Sequence, residues 1–126
     1  MKKILNSLTK KLHYFYFNFK YPNWISKYCA ATSPNTPPKA LEKLANNKNW
    51  EIRSHVAENP NTLLETLEKL ANDEDWFVRC CVAENPNNSS QTLEKLANDE
   101  ENMHVRSCVA QNPNTPEHIK FYLYFY

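Results

Sequence analysis

Apolar residues with helical spacing alternate along the chain with short polar stretches that are rich in Asn and Pro. Leu41, Leu44 and Ala45 follow one another at i, i+3 and i+4, which places them on one face of a short amphipathic helix. Thr36 in this stretch and Thr62 in the next are N-cap candidates, because a threonine hydroxyl can accept a hydrogen bond from a first-turn N–H. The pattern predicts helices rather than strands.

A second helix is expected after each polar break. Ile52 and Val56 share a helical face in a segment that begins near Trp50. The Asn59-Pro60 step should end this helix, because the residue before a proline is pushed out of the α region. Each unit of the chain is therefore predicted to be a pair of short helices.

The helix pair repeats in tandem. The segments that begin at Pro34, Pro60 and Pro86 are offset by 26 residues, and each leads to the sequence Leu-Glu-Lys-Leu-Ala. The second-helix segments begin at Trp50, Trp76 and Met103. The last spacing is therefore 27 residues instead of 26, which indicates one inserted residue in the loop 99–102. Because one pair cannot bury its own apolar face, stacked pairs should share a continuous core. The predicted fold is an all-α solenoid with units at about 34–59, 60–85 and 86–112 and partial units at 24–33 and 113–126.

Residues 1–23 are predicted to form a separate amphipathic helix. Positions 1–41 hold seven Lys and no acidic residue, whereas 42–126 hold eight basic and fourteen acidic residues. One interpretation is a cap that covers the open end of the solenoid. The other is a basic helix for nucleic acid or an anionic membrane surface. Its candidate contacts are Lys2, Lys3, Lys10, Lys11, Lys20 and Lys27.

Residues 56–62 read Val-Ala-Glu-Asn-Pro-Asn-Thr, and they are followed by a Leu-Glu-Lys-Leu-Ala helix, Asp73 and a Val-Arg pair. This order resembles the repeat of the leucine-rich repeat variant family, over about three quarters of the chain, and it departs from the family at Leu63, Asn88 and His55. The unit is similar to HEAT repeats more distantly. Both resemblances imply a right-handed helical solenoid. The cysteine-ligated iron–sulfur domain of some family members is not expected, since the N-terminal part has a single cysteine, Cys29.

An arginine column recurs at one position of the second helix, with Lys27 in the matching place of the first partial unit. The similarity to HEAT repeats implies that an Asp or Asn six residues earlier ties neighbouring units together. The alternative is that these basic side chains form a row that binds successive phosphates of a nucleic acid. The net negative charge of residues 42–126 argues against it. The candidate ladder residues are Asn47, Arg53, Asp73, Arg79, Asp99 and Arg106.

Three cysteines, Cys29, Cys81 and Cys108, fall at one repeat position, where the second unit has His55. Stacked helices lie about 8–10 Å apart, whereas a disulfide needs Cα atoms within about 7 Å. One thiol per unit is therefore poorly spaced for a disulfide or a zinc ion, and these residues are interpreted as small packing residues. Cys80 should point elsewhere on its helix, as a surface thiol.

No catalytic group is expected. The chain has no Gly, which disfavours phosphate-binding loops and nucleophile elbows, and its four His lack a metal-protease spacing. No signal peptide or membrane span is predicted, so the expected location is the cytoplasm. The leading hypothesis is a non-catalytic scaffold without a cofactor that binds another protein; the alternative is a nucleic-acid-binding solenoid. The aromatic residues 121–126 could mediate self-association, and the chain could be a piece of a longer array.

Overall fold

The structure is a computed structural model that describes residues 24–125. The predicted N-terminal helix of residues 1–23 lies outside the described residues, as does Tyr126. The described part folds into eight α-helices and contains no β-strand, which confirms the all-α prediction. In chain order the helices are α1 (Trp24–Thr32), α2 (Pro38–Leu44), α3 (Trp50–Glu58), α4 (Leu64–Leu70), α5 (Trp76–Glu84), α6 (Ser90–Ala97), α7 (Met103–Gln111) and α8 (Glu117–Phe125).

Alternate helices contact one another in order. Helix α1 contacts α3, α3 contacts α5 and α5 contacts α7, while α2, α4 and α6 pack chiefly against the helices before and after them in the chain. The apolar positions found in the sequence line the shared core, which is one connected cluster. Its fully buried members recur from one helix pair to the next, as in Leu41, Leu67 and Leu93.

The threonines that were predicted as N-caps have a different role. Helices α2 and α4 have Pro37 and Leu63 at the N-cap, and neither side chain makes a capping hydrogen bond. Thr62 lies one residue earlier, and its buried hydroxyl donates to the backbone carbonyl of Val56 at 2.6 Å, with Thr36 making the equivalent bond. The N-cap prediction was wrong because these hydroxyls satisfy carbonyls at the end of the preceding helix, which also lack helical partners.

Polar side chains do cap the second helix of each pair. Helices α3, α5 and α7 follow Asn49, Asp75 and Asn102, whose side-chain oxygens accept a hydrogen bond from the backbone N–H two residues later, at 2.8–2.9 Å. Helix α6 begins after Ser89, whose Oγ accepts from the backbone N–H of Thr92 at 3.1 Å. These bonds satisfy first-turn donors that the helix itself leaves without partners.

The Ser89 cap should be measurable. Replacing Ser89 with Ala removes the acceptor for the Thr92 N–H and should lower the free energy of unfolding by about 1 kcal/mol. Urea denaturation followed by circular dichroism checks this, with Ser90→Ala as the control at an exposed position inside the same helix. Equal losses in the two variants would show that the cap contributes nothing of its own.

Candidate functional site

The guanidinium of Arg53 joins equivalent loops of two successive units. Its Nε and Nη2 donate to the carboxylate of Asp73 at 2.7 and 2.9 Å. Its Nη1 donates to the backbone carbonyls of Asn47 and Lys48 at 2.8 and 3.0 Å. One side chain therefore links the loop before α3 to the loop before α5.

Arg79 repeats this arrangement one unit later. Its Nε donates to Asp99 at 2.7 Å and its Nη2 lies 3.1 Å from a carboxylate oxygen of Glu101. Its Nη1 donates to the backbone carbonyls of Asp73 and Glu74 at 2.8 and 3.2 Å. The Arg79 and Asp99 side chains are each only 8% exposed, so the ion pair is largely shielded from solvent.

The ladder arginines pair with a different residue from the one that the sequence predicted. The residue six positions earlier offers its backbone carbonyl to the arginine, as Asn47 does to Arg53, rather than its side chain. The carboxylate comes from the following loop, twenty residues later, as in Arg53 with Asp73. Arg106 bonds the backbone carbonyl of Asp99 through Nη1, and Lys27 is exposed on α1. The other lysines of the proposed basic site lie outside the described residues.

Arg79 and Asp99 stabilise each other in their ionised forms. Burial by itself would raise the pKa of the Asp99 carboxyl, but hydrogen bonds from Arg79 and from the backbone N–H of Asn102 outweigh it, and the pKa lies below its ordinary value. Burial acts against the charged guanidinium of Arg79, yet its bond to Asp99 leaves the arginine pKa raised. Each ion therefore stabilises the charged form of the other.

A second set of contacts between units, made by asparagines, was missed in the sequence. Asn85 is 2% exposed; its Nδ2 donates to the backbone carbonyl of Ala57 at 2.7 Å and its Oδ1 accepts from the N–H of Asn87 at 2.8 Å. Asn59 and Asn112 make the same pair of bonds. Sequence reasoning took Asn-Pro only as a helix stop. The signal was the recurrence of Asn at the end of all three full units, where any residue before proline would have ended the helix.

The exposed first residues of the alternate helices form a row. Trp24, Trp50, Trp76 and Met103 open α1, α3, α5 and α7 and are 62, 42, 42 and 68% exposed. Phe77 is 40% exposed and lies between two of them, with ring centroids 5.6 Å from Trp50 and 5.8 Å from Trp76. We call these five residues the apolar row. Large apolar side chains exposed side by side are typical of an interaction surface.

Exposed carboxylates lie at both ends of α3 and at the end of α5. Glu51 follows Trp50 in the first turn of α3, and Glu58 and Glu84 end α3 and α5, all three exposed. His55, at the position that is Cys in other units, is half-buried with Nδ1 3.3 Å from Glu58 Oε2 and its ring against Tyr28. Of these three carboxylates, Glu51 is therefore the one next to the apolar row, whereas Glu58 and Glu84 lie at the other ends of their helices.

The prediction that Cys80 is a surface thiol was wrong. Cys80 is 5% exposed and its Sγ lies 2.9 Å from Sγ of Cys108, because α5 and α7 contact each other along the face that carries Cys80. Cys81 is buried as well and points toward α3, with Sγ 3.4 Å from Glu58 Oε1. Burial raises the pKa of the Cys81 thiol.

Helix α8 presents a separate aromatic surface. Phe121, Tyr122, Tyr124 and Phe125 are between 49 and 70% exposed. Phe121 and Phe125 contact each other with ring centroids 4.6 Å apart. Only Ile119 and the half-buried Leu123 of this helix reach the core. The side of α8 away from the core is thus open to solvent over most of its length.

Within residues 24–125 no helix is both long and apolar enough to cross a membrane. Over the same range no three His, Cys, Asp or Glu side chains are grouped to hold a metal ion. Comparison with protein-family models, with curated proteins and with solved structures gives no match to the chain. The resemblance to the leucine-rich repeat variant family stays a prediction from the sequence.

Proposed function

We propose that the chain is a right-handed α-solenoid of 26-residue units that acts as a non-catalytic scaffold and binds a segment of another protein on the apolar row. The row carries the proposal, because it repeats once per unit at the same position of successive contacting helices. Repeat proteins use such periodic surfaces to hold extended partners. The four free thiols are typical of a reducing compartment, which supports a cytoplasmic location.

The spacing of the row suits an extended partner. Neighbouring helices lie about 8–10 Å apart, and a segment in the extended polyproline II conformation has three residues per turn and rises about 3.1 Å per residue, so one unit corresponds to about three partner residues. The carboxylate of Glu51 next to Trp50 favours basic groups, and indole faces attract cations as well. The partner is therefore a polyproline II segment that carries apolar and basic side chains at about every third position.

Truncating the row should weaken this binding. For a synthetic peptide with alternating Leu and Lys anchors at three-residue spacing, Trp76→Ala should raise Kd about 30-fold, the effect of a central aromatic anchor. Fluorescence anisotropy of the labelled peptide measures it. Leu64→Ala is the control, since Leu64 is 39% exposed on α4, away from the row. Matched peptides with Glu in place of Lys test the charge preference.

Two outcomes would count against the scaffold. Equal affinity of the Trp76→Ala and Leu64→Ala proteins would remove the row as the binding surface. Size-exclusion chromatography with light scattering tests the alternative: a complex with DNA that dissociates steeply with added salt would favour nucleic-acid binding through the N-terminal lysines. The same measurement without a partner tests self-association through the aromatic residues of α8.

A further inference from the structure

Two thiols from different units lie in direct contact. Sγ of Cys80 on α5 is 2.9 Å from Sγ of Cys108 on α7. Bonded sulfur atoms are about 2.05 Å apart. Non-bonded carbon atoms, which are smaller than sulfur, prefer a contact distance of about 3.5–4.0 Å. The two sulfur atoms are thus closer than ordinary packing would bring them. Only a small movement of the side chains is needed to bring them to bonding distance.

We propose that Cys80 and Cys108 are a redox modification site, at which a low-molecular-weight disulfide reversibly oxidises the two thiols to an intramolecular disulfide. The bond would join α5 to α7 and so fix two successive units to each other. This inference does not depend on the proposed partner binding. It also revises the expectation that one thiol per unit is poorly spaced for a disulfide. That expectation considered only Cys29, Cys81 and Cys108, which share one repeat position. Cys80 lies one residue before that position and contacts Cys108 of the next unit.

The surroundings distinguish this pair from the neighbouring thiol. Cys81 follows Cys80 directly, yet its Sγ lies near Glu58 on α3, on the opposite side of α5. Cys108 is the half-buried member of the pair, with Sγ 3.5 Å from Glu84 Oε1, and Cys80 is buried behind it. An oxidant therefore reaches Cys108 first.

The chemistry balances with a disulfide RSSR as the oxidant. The Cys108 thiolate attacks one sulfur of RSSR, forming a mixed disulfide and releasing one thiolate RS⁻. The Cys80 thiolate then attacks the Cys108 sulfur, expelling the second RS⁻ and closing the protein disulfide. The two protein protons end on the two RSH products, and reduction by excess thiol reverses both steps. Burial raises the pKa of both cysteines, so the thiolate fraction is small and the exchange is slow.

The test uses the full chain with Cys29→Ala and Cys81→Ala, which leaves only the pair. After equilibration with oxidised glutathione under native conditions, no free thiol should remain and no disulfide should join two chains, as judged by non-reducing denaturing gels. Tryptic digestion should yield residues 80–95 linked to residues 107–120. The melting temperature should rise by about 10 °C, because the bond constrains the unfolded chain, and dithiothreitol should reverse the rise. The matched controls Cys80→Ala and Cys108→Ala should show no such rise.

The proposal is overturned if both thiols stay free at equilibrium, if a glutathione adduct on Cys108 persists, or if the linkage joins two molecules. A second measurement covers the case in which the double variant does not fold. In the unaltered protein, alkylation in denaturant after native-state oxidation should label Cys29 and Cys81 and spare Cys80 and Cys108. Labelling of Cys80 or Cys108 under those conditions would overturn the proposal equally.

Discussion

Replacing Asn85 with Ala should lower the free energy of unfolding by about 3–4 kcal/mol. The substitution leaves the buried carbonyl of Ala57 without its donor and the partly buried N–H of Asn87 without its acceptor, and an unsatisfied group shielded from water costs about 1–3 kcal/mol. For a chain of this size the melting temperature should fall by about 15 °C. Thermal and urea denaturation followed by circular dichroism measure both quantities.

Two variants separate hydrogen bonding from other effects at this site. Asn87→Ala removes an exposed side chain that donates to the Pro60 carbonyl at 2.9 Å, and because water can replace that donor the loss should stay under about 1 kcal/mol. Asn85→Asp keeps the shape and the acceptor but loses the donor to Ala57, and should destabilise as strongly as alanine. Wild-type stability in Asn85→Asp would show that this donor does not hold adjacent units together.

Arg79→Met should lower the free energy of unfolding by about 3 kcal/mol at neutral pH. Methionine preserves much of the side-chain volume but leaves the Asp99 carboxylate shielded from solvent without its cation, and breaking a buried pair costs about 3–5 kcal/mol. Arg106→Met is the matched control, because Arg106 is half-buried and bonds the backbone carbonyl of Asp99. Its loss should be clearly smaller. Equal losses would mean that packing of the arginine stem, and not the ion pair, is responsible.

Acid pH gives an independent check on the same pair. The pKa of Asp99 is lower in the folded protein than in the unfolded chain, so the stability from its charged form is present above about pH 4 and is lost as the pH falls through the folded-state pKa. Below that pKa, Asp99 is protonated in both states. The difference in unfolding free energy between the original protein and Arg79→Met should therefore shrink from pH 7 to the acid range. A constant difference would contradict the ion-pair explanation.

The limits of the second helix of each pair were accessible from local chemistry, unlike the N-caps of α2 and α4. Helix α3 ends at Glu58 because Asn59 precedes a proline and is held in an extended conformation, with φ −69° and ψ 129°. It begins at Trp50, where apolar spacing resumes after the polar break. Leu41 and Val56, which the helical periodicity places on apolar faces, are fully buried. Such features depend on residues close in the chain, so the sequence is sufficient to predict them.

The candidate site was predictable in residue type but not in pairing. The arginine column and its acidic neighbours stood out by their period, yet the carboxylate that meets Arg53 comes from Asp73, twenty residues later, rather than from its own loop. Periodicity fixes the spacing of equivalent positions but not the direction in which each side chain points across an interface. A ladder within a unit and a ladder between units have the same sequence signature.

By itself, the sequence determined the all-α class, the Asn-Pro ends of the second helices and the recurring apolar positions, because each follows from local spacing and from the proline. Only the tertiary structure decided which polar groups meet across units. Asn85 reaches the carbonyl of Ala57, Arg79 takes the carboxylate of Asp99, and Cys80 contacts Cys108. These contacts join residues 20 to 28 positions apart, and they depend on the rotation and offset of one helix against the next. A change of one residue in that offset would pair different side chains without altering the pattern along the chain.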